Sequence, residues 1–258
     1  MIGKISRRIY MGLIILFMYA PIATLIVLSF NSSKSRAKWG GFTIKWYKSL
    51  FENEAILNAL WNTIAIATLA AIISTIIGTI ACIAINSMKK RGKTIWLGIT
   101  NIPMLNAEIV TGISLMLIFI FLGIKFGFFT ILIAHITFDI PYVILSVMPR
   151  MKTLNPSTYE AALDLGASPL KAYFKVVLPD LLPGILSGFL MAFTMSIDDF
   201  VITHFTKGAG VDTLSTKIYS EVRKGIKPEM YALSTLIFIT ILVLLFLVNR
   251  IPKQIESK

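Results

Sequence analysis

Four acidic residues, Glu108, Asp139, Asp198 and Asp199, lie within long apolar runs whose interiors carry no Lys or Arg. An acid at the centre of a bilayer costs roughly 2.5–3.5 kcal/mol on insertion scales, so it normally faces a partner, water or a solute path. Acids without an internal base favour a cation; an anion path shows the opposite sign. Ser196-Ile197-Asp198-Asp199 is the densest of these polar clusters. Adjacent residues on a helix point about 100° apart, so one of the two aspartates is expected to face a cavity and the other a helix contact. Glu108 is expected on the path, close after Pro103, which should bend its helix. Asp139 divides between the path and a structural role, because Pro141 is close by. Phe193, Phe200, His204 and Phe205 surround the Ser196 cluster, and aromatic faces suit an ammonium group. In a chain with 17 Phe, packing is the commoner use of such rings. His135 and His204 have no metal-ligand spacing. Neither a nucleophile–base arrangement nor a Gly-rich phosphate cradle is present, so no catalysis is expected in this chain.

The elements that hold these acids must be membrane helices. The chain of 258 residues is 56% hydrophobic and 15% charged, with a mean hydropathy of +0.78. Soluble domains are nearer 45–50% apolar. The net charge of +12 comes from basic residues flanking apolar runs, which fits membrane placement rather than nucleic acid. The single cysteine, Cys82, lies in an apolar run and forms no intrachain disulfide. The expected fold is all-α, one membrane domain over residues 1–258, with spans at about 9–30, 59–86, 94–124, 128–148, 179–205 and 230–249. The first run is too long for a signal-peptide core and should remain as a span. Aromatics at Phe42, Trp46 and Tyr47 suit a membrane interface. The second span is rich in small residues, which allow close helix approach in lipid. Gly92-Lys93-Thr94 ends like a phosphate-binding loop, but its flanks are membrane helices. Among short loops, Lys89, Lys90, Arg91 and Lys93 oppose Lys125, which places both termini and residues 149–178 in the cytoplasm.

That loop is the longest polar segment built like a docking element. Ser157 followed by Glu160 has capping-box spacing and marks a helix start. Gly166 should stop this helix, Ser168-Pro169 should start another, and Leu178-Pro179 should end the unit. Glu160-Ala161-Ala162, Gly166, Val176 and Leu178-Pro179 then resemble the EAA loop of permease subunits of bacterial ABC importers; Val176 stands where that pattern usually has Ile. The resemblance implies a type I, MetI-like permease core whose cytoplasmic coupling helices sit in a groove of an ATPase subunit. Phe30-Asn31-Ser32-Ser33, the stretch around Gly41 to Tyr47, His135-Ile136-Thr137-Phe138 and Ser196-x-Asp198-Asp199 look like the PotC-type spermidine/putrescine permeases over nearly the whole chain. This implies a bacterial inner-membrane subunit paired with a homologous permease, a cytoplasmic ATPase dimer and an external polyamine-binding protein. ATP and Mg would bind in the ATPase, with no cofactor in this chain. Related permeases for ferric ion or a thiamine-like solute share parts of these motifs. A stand-alone secondary cation transporter would leave the EAA pattern unexplained.

Overall fold

The computed structural model describes residues 2–250, and every regular element in that range is helical. In chain order these are α1 (Ile2–Ser29), α2 (Lys45–Glu52), α3 (Glu54–Ser87), α4 (Lys90–Leu105), α5 (Glu108–Phe121) and α6 (Phe128–Thr153). They are followed by α7 (Pro156–Asp164), α8 (Pro169–Ala172), a π-helical turn (Tyr173–Val177), α9 (Leu178–Asp198), α10 (Val201–Thr206), α11 (Leu214–Lys224) and α12 (Pro228–Arg250). Among the described residues, four helical stretches are long and apolar enough to cross a membrane: Arg7–Ser29, Glu54–Ser87, Phe128–Thr153 and Pro169–Asp198. A fifth crossing is counted if α4 and α5 form one broken span. The last expected span, 230–249, falls within α12, and the side chains of residues 243–250 are outside the described set.

The chain divides into two compact units. One comprises residues 1–57 and 218–258. Within it α12 packs on α1 and α2. Asn31 organises the loop between α1 and α2: its Oδ1 accepts from the backbone of Ser33 (3.1 Å) and Gly40 (2.8 Å), and its Nδ2 donates to the Lys38 carbonyl (2.9 Å). The Trp46 indole donates to the Asn31 carbonyl at 2.7 Å, so this aromatic is pinned as well as apolar. Glu229 at the start of α12 accepts from Ser49 (2.7 Å) and Asn53 (3.3 Å).

The other unit, residues 58–217, contains the acidic cluster. Its core is built where α6 meets α9, from Val143, Ile144, Val147 and Met148 against Leu181 and Ala192, with Cys82 and Ile85 of α3. Small residues permit the approach. A Cβ on Gly78 of α3 would lie 2.7 Å from a Val143 methyl, and one on Gly188 of α9 would lie 3.3 Å from it. In lipid, where burial of apolar area gives no net drive, such close packing supplies the association.

Three expected continuities are broken or moved. Residues 94–124 are not one continuous helix: α4 and α5 are bent by 101° at a short break. Pro103 lacks a donor for the last turn of α4, and Asn106 and Ala107 are both extended. The span expected over 179–205 stops at Asp198, because Asp199 is extended (φ −63°, ψ 126°). At Leu178-Pro179, by contrast, the helix continues. The Leu178 N–H reaches back to the Tyr173 carbonyl, one residue further than in an α-helix. The wider turn makes room for a proline that cannot donate. Pro169–Asp198 is therefore a single helical run of 30 residues, and α8 is its first turn rather than a separate helix.

The segment before it follows its local chemistry, with one correction. The cap of α7 is Asn155, whose Oδ1 accepts from Ser157 N at 3.1 Å, with Pro156 in the first turn; the Ser157/Glu160 capping box does not form. Asn155 takes the role because the proline after it fixes the first helical φ and lacks the N–H that would need capping. Gly166 has φ +80°, and Gly166 N and Ala167 N donate to Leu163 O (2.8 Å) and Ala162 O (3.1 Å). That pair of bonds is a Schellman closure, which needs a left-handed residue and so favours glycine. Ser168 caps the following turn through Lys171 N at 3.4 Å, as its sequence predicts.

Candidate functional site

The two helix breaks lie beside one cavity. It has a volume of about 260 Å³ and is lined by Glu108, Asp198 and Asp199 together with Asn106, Tyr142 and Phe200, among others. Glu108 stands in the first turn of α5, directly after the α4–α5 break, and Asp198 ends α9. Both are exposed to this space. Helix C-termini carry partial negative charge on free carbonyls, and α4 and α9 both end here. The opposing helix starts are offset by acids: Glu108 lies in the first turn of α5, and the Asp199 carboxylate takes the first free N–H groups of α10, Ile202 N (3.2 Å) and Thr203 N (2.7 Å). Carboxylates and carbonyl helix ends therefore both border the cavity, an arrangement that favours positive charge.

The two adjacent aspartates have different tasks. Asp199 has a buried side chain, only 4% exposed, engaged by α10 and by a polar cluster behind it. Thr203 Oγ1 donates to Asp199 Oδ2 at 2.8 Å, and His135 Nε2 lies 2.8 Å from Thr203 Oγ1 and 3.4 Å from Asp199 Oδ2. The other ring nitrogen of His135 bonds Ser196 Oγ. Both aspartates line the cavity, but Asp198 is exposed there while the Asp199 carboxylate is engaged in helix contacts. The cause is the extended residue between two helices, not a 100° rotation on one.

The remaining residues singled out in the sequence separate clearly. Ser196 is buried on α9 behind the cavity wall, facing His135. Asp139 is fully buried on α6, and neither carboxylate oxygen has a hydrogen-bond partner among the described residues. Its neighbours Phe138 and Tyr142 line the cavity; Asp139 does not. Phe193 stacks on Phe189, and His204 stacks on Phe200 at 5.3 Å. Among the described residues there is no group of three or more potential metal ligands. Nothing in the sequence marked Thr203, and His135 stood out only in a family-like motif and as a histidine without metal-ligand spacing. A histidine at membrane depth was the available signal, since such a group requires a partner.

The EAA residues lie well away in sequence, on α7 and the start of the long helix. Glu160 and Ala161 are exposed and Ala162 is half-buried. Around the Gly166 turn, Leu165 is 89% exposed and Leu170 73% exposed, an apolar pair left uncovered beside polar residues. Leu178 is half-buried and Pro179 exposed on the first turn of α9.

Residues 74–258 match the family described as the binding-protein-dependent transport system inner membrane component. The chain belongs to that family. Within it, the permease is 39% identical over 244 residues to the spermidine/putrescine transport system permease protein PotC of Escherichia coli (strain K12), covering 95% of this chain and 92% of PotC. It is 38% identical over 228 residues to the putrescine transport system permease protein PotI of the same organism, covering 86% and 81%. These relatives place the permease among the PotC-type ABC permeases. The fold has a solved counterpart in a bacterial ABC transporter that imports the acidic polysaccharide alginate, with a TM-score of 0.74 at 16% identity over 99% of this chain and 96% of that one. At that identity the likeness concerns the fold alone.

Proposed function

We propose that this permease is the membrane-spanning subunit of an ATP-driven importer of polyamines, spermidine or putrescine. The observation that carries the reading is the identity to PotC over 95% of the chain. The cavity supports it independently, because an acid-lined space with two carbonyl helix ends suits a flexible organic cation.

In this reading the chain is one membrane domain with six spans: the four long helices, the broken α4–α5 pair and α12. Both termini and residues 149–178 face the cytoplasm of the inner membrane. The partners are a homologous permease, an external polyamine-binding protein and a cytoplasmic ATPase dimer. ATP and Mg bind in that dimer, and this chain hydrolyses nothing. Glu160, Ala161, Ala162, Gly166, Leu178 and Pro179 form the coupling element. The uncovered Leu165 and Leu170 support a partner there, since apolar side chains that exposed favour burial. Transport is alternating access, with the cation released past Asp198 and Glu108. Asp199 is part of the cavity wall, Ser196 is buried behind it, and Asp139 is buried on α6 between the lining residues Phe138 and Tyr142.

The test is uptake of labelled spermidine by cells expressing the complete transporter, comparing wild type with Asp198→Asn at matched membrane levels. Unlabelled putrescine, thiamine and ferric ion serve as competitors. Loss of uptake in the variant, with competition by putrescine alone, is expected. Competition by thiamine or ferric ion instead would replace the substrate and leave the importer standing.

A further inference from the structure

The cluster behind the cavity is one directed chain of hydrogen bonds. Thr203 Oγ1 spends its only proton on Asp199 Oδ2 (2.8 Å), so toward His135 it must accept. His135 therefore carries its proton on Nε2, 2.8 Å from Thr203 Oγ1. A neutral imidazole then accepts from the Ser196 hydroxyl at Nδ1. The order Ser196 to His135 to Thr203 to Asp199 links α9, α6 and α10, and each member is buried. At the far end of α10, Thr130 Oγ1 of α6 donates to the Thr206 carbonyl at 2.8 Å, so the short helix is held at both ends.

We infer that His135 and Thr203 are positioning residues for the transported cation: by holding Asp199 as the cap of α10, they fix where α9 ends and so where Asp198 stands in the cavity opposite Glu108. The inference rests on the cation-path reading of that cavity. Asp198 and Asp199 are consecutive, so an Asp199 carboxylate released from Thr203 carries the Asp198 backbone with it. Four acceptor contacts hold Asp199 in place: two backbone N–H groups, the Thr203 hydroxyl and, at 3.4 Å, the His135 Nε2. Each carboxylate is then committed, Asp199 to the wall and Asp198 to the solute. The side chain opposite His135 on the aromatic side is Phe138, edge-on at 5.3 Å between ring centres. It offers no competing acceptor, so the chain has one direction.

The test compares Thr203→Val, which keeps the shape and removes the hydroxyl, with Thr203→Ser, which keeps the hydroxyl. Both are made in the complete transporter, alongside His135→Gln and the His135→Gln/Thr203→Val double variant. Uptake per complex in the membrane is measured for whichever of spermidine, putrescine, thiamine and ferric ion the wild type carries. Wild-type selectivity thus decides the substrate reading, and the variants decide this one. Thr203→Val is expected to lower uptake per complex about tenfold, because a buried donor and acceptor lose their common partner. Thr203→Ser is expected to stay within about twofold of wild type, since the same hydroxyl chemistry remains. The double variant is expected to be no worse than the poorer single, because residues in one network are not additive. The spermidine-to-putrescine ratio should also shift in Thr203→Val, which a mere loss of folded protein does not cause. Equal uptake by Thr203→Val and Thr203→Ser, or multiplying effects in the double variant, would overturn the inference. If His135→Gln fails to assemble, the valine–serine pair still decides.

Discussion

A helix ends at Gly166 and another at Asp199, and the two bends are built on opposite principles. At Gly166 the chain turns in the open: the residue is exposed, φ is +80°, and backbone groups within five residues close the turn. At Asp199 the side chain is buried, and its carboxylate accepts the freed N–H groups of Ile202 and Thr203 while the Thr203 hydroxyl and His135 hold that carboxylate in turn. The first bend depends on one glycine and the second on a network. An exposed turn can be remade by a docking partner, whereas a buried one holds its shape against the solute.

The sharpest way to break the comparison is Asp199→Ala. It strips the acceptor from two backbone N–H groups and one hydroxyl at once, and each orphaned buried group costs on the order of 1–3 kcal/mol. Thermal unfolding of the purified complex is expected to drop by several degrees, well beyond any change at the Gly166 turn. Next comes Gly166→Val. A β-branched residue held at positive φ costs roughly 1–3 kcal/mol, locally. Hydrogen exchange over 156–172 is expected to speed up with the global melting temperature nearly unchanged, and uptake should fall as ATP hydrolysis uncouples from it. Global destabilisation instead would mean the exposed turn is as integral as the buried one. Asn155→Ala removes the observed cap and should cost about 1 kcal/mol, visible as faster exchange in α7 alone. The smallest stability effect is expected for Glu160→Gln, within about 0.5 kcal/mol, because Asn155 rather than a Glu160 capping box closes that helix. Any marked loss of uptake in this last variant reads directly on docking.

The same contrast explains what the residues disclosed in advance. Gly166 and Ser168-Pro169 were legible because each acts on backbone within a few positions of itself. The cap was misplaced by two residues, since Asn155 and Ser157 are both competent and Pro156 decides between them, and the expected end at Leu178-Pro179 is bridged by the π-helical turn. The break at Asp199 was not legible. The network behind it joins His135 to Ser196 and Thr203, 61 and 68 residues away along the chain, and an apolar run of the right length reads as one span. The α4–α5 break was half legible: Pro103 signalled a bend, while the 101° angle depends on two extended residues that composition does not mark. The structural role of Asn31 was not legible, because two of its four side-chain hydrogen bonds, to Lys38 and Gly40, exist only once the loop folds back on it.

The π-helical turn at Tyr173–Val177 has a mechanical consequence. By keeping Pro179 within an unbroken helix, it joins the start of α8 to Asp198 as one rod of 30 residues, about 45 Å long at 1.5 Å per residue. Such a rod is a lever arm: a tilt of about 5° at the Leu170 end sweeps the opposite tip by about 4 Å, more than the length of a hydrogen bond. A proline that simply ended the helix would have cut the arm at its base, leaving the cavity carboxylate out of step with any movement at the Gly166 turn.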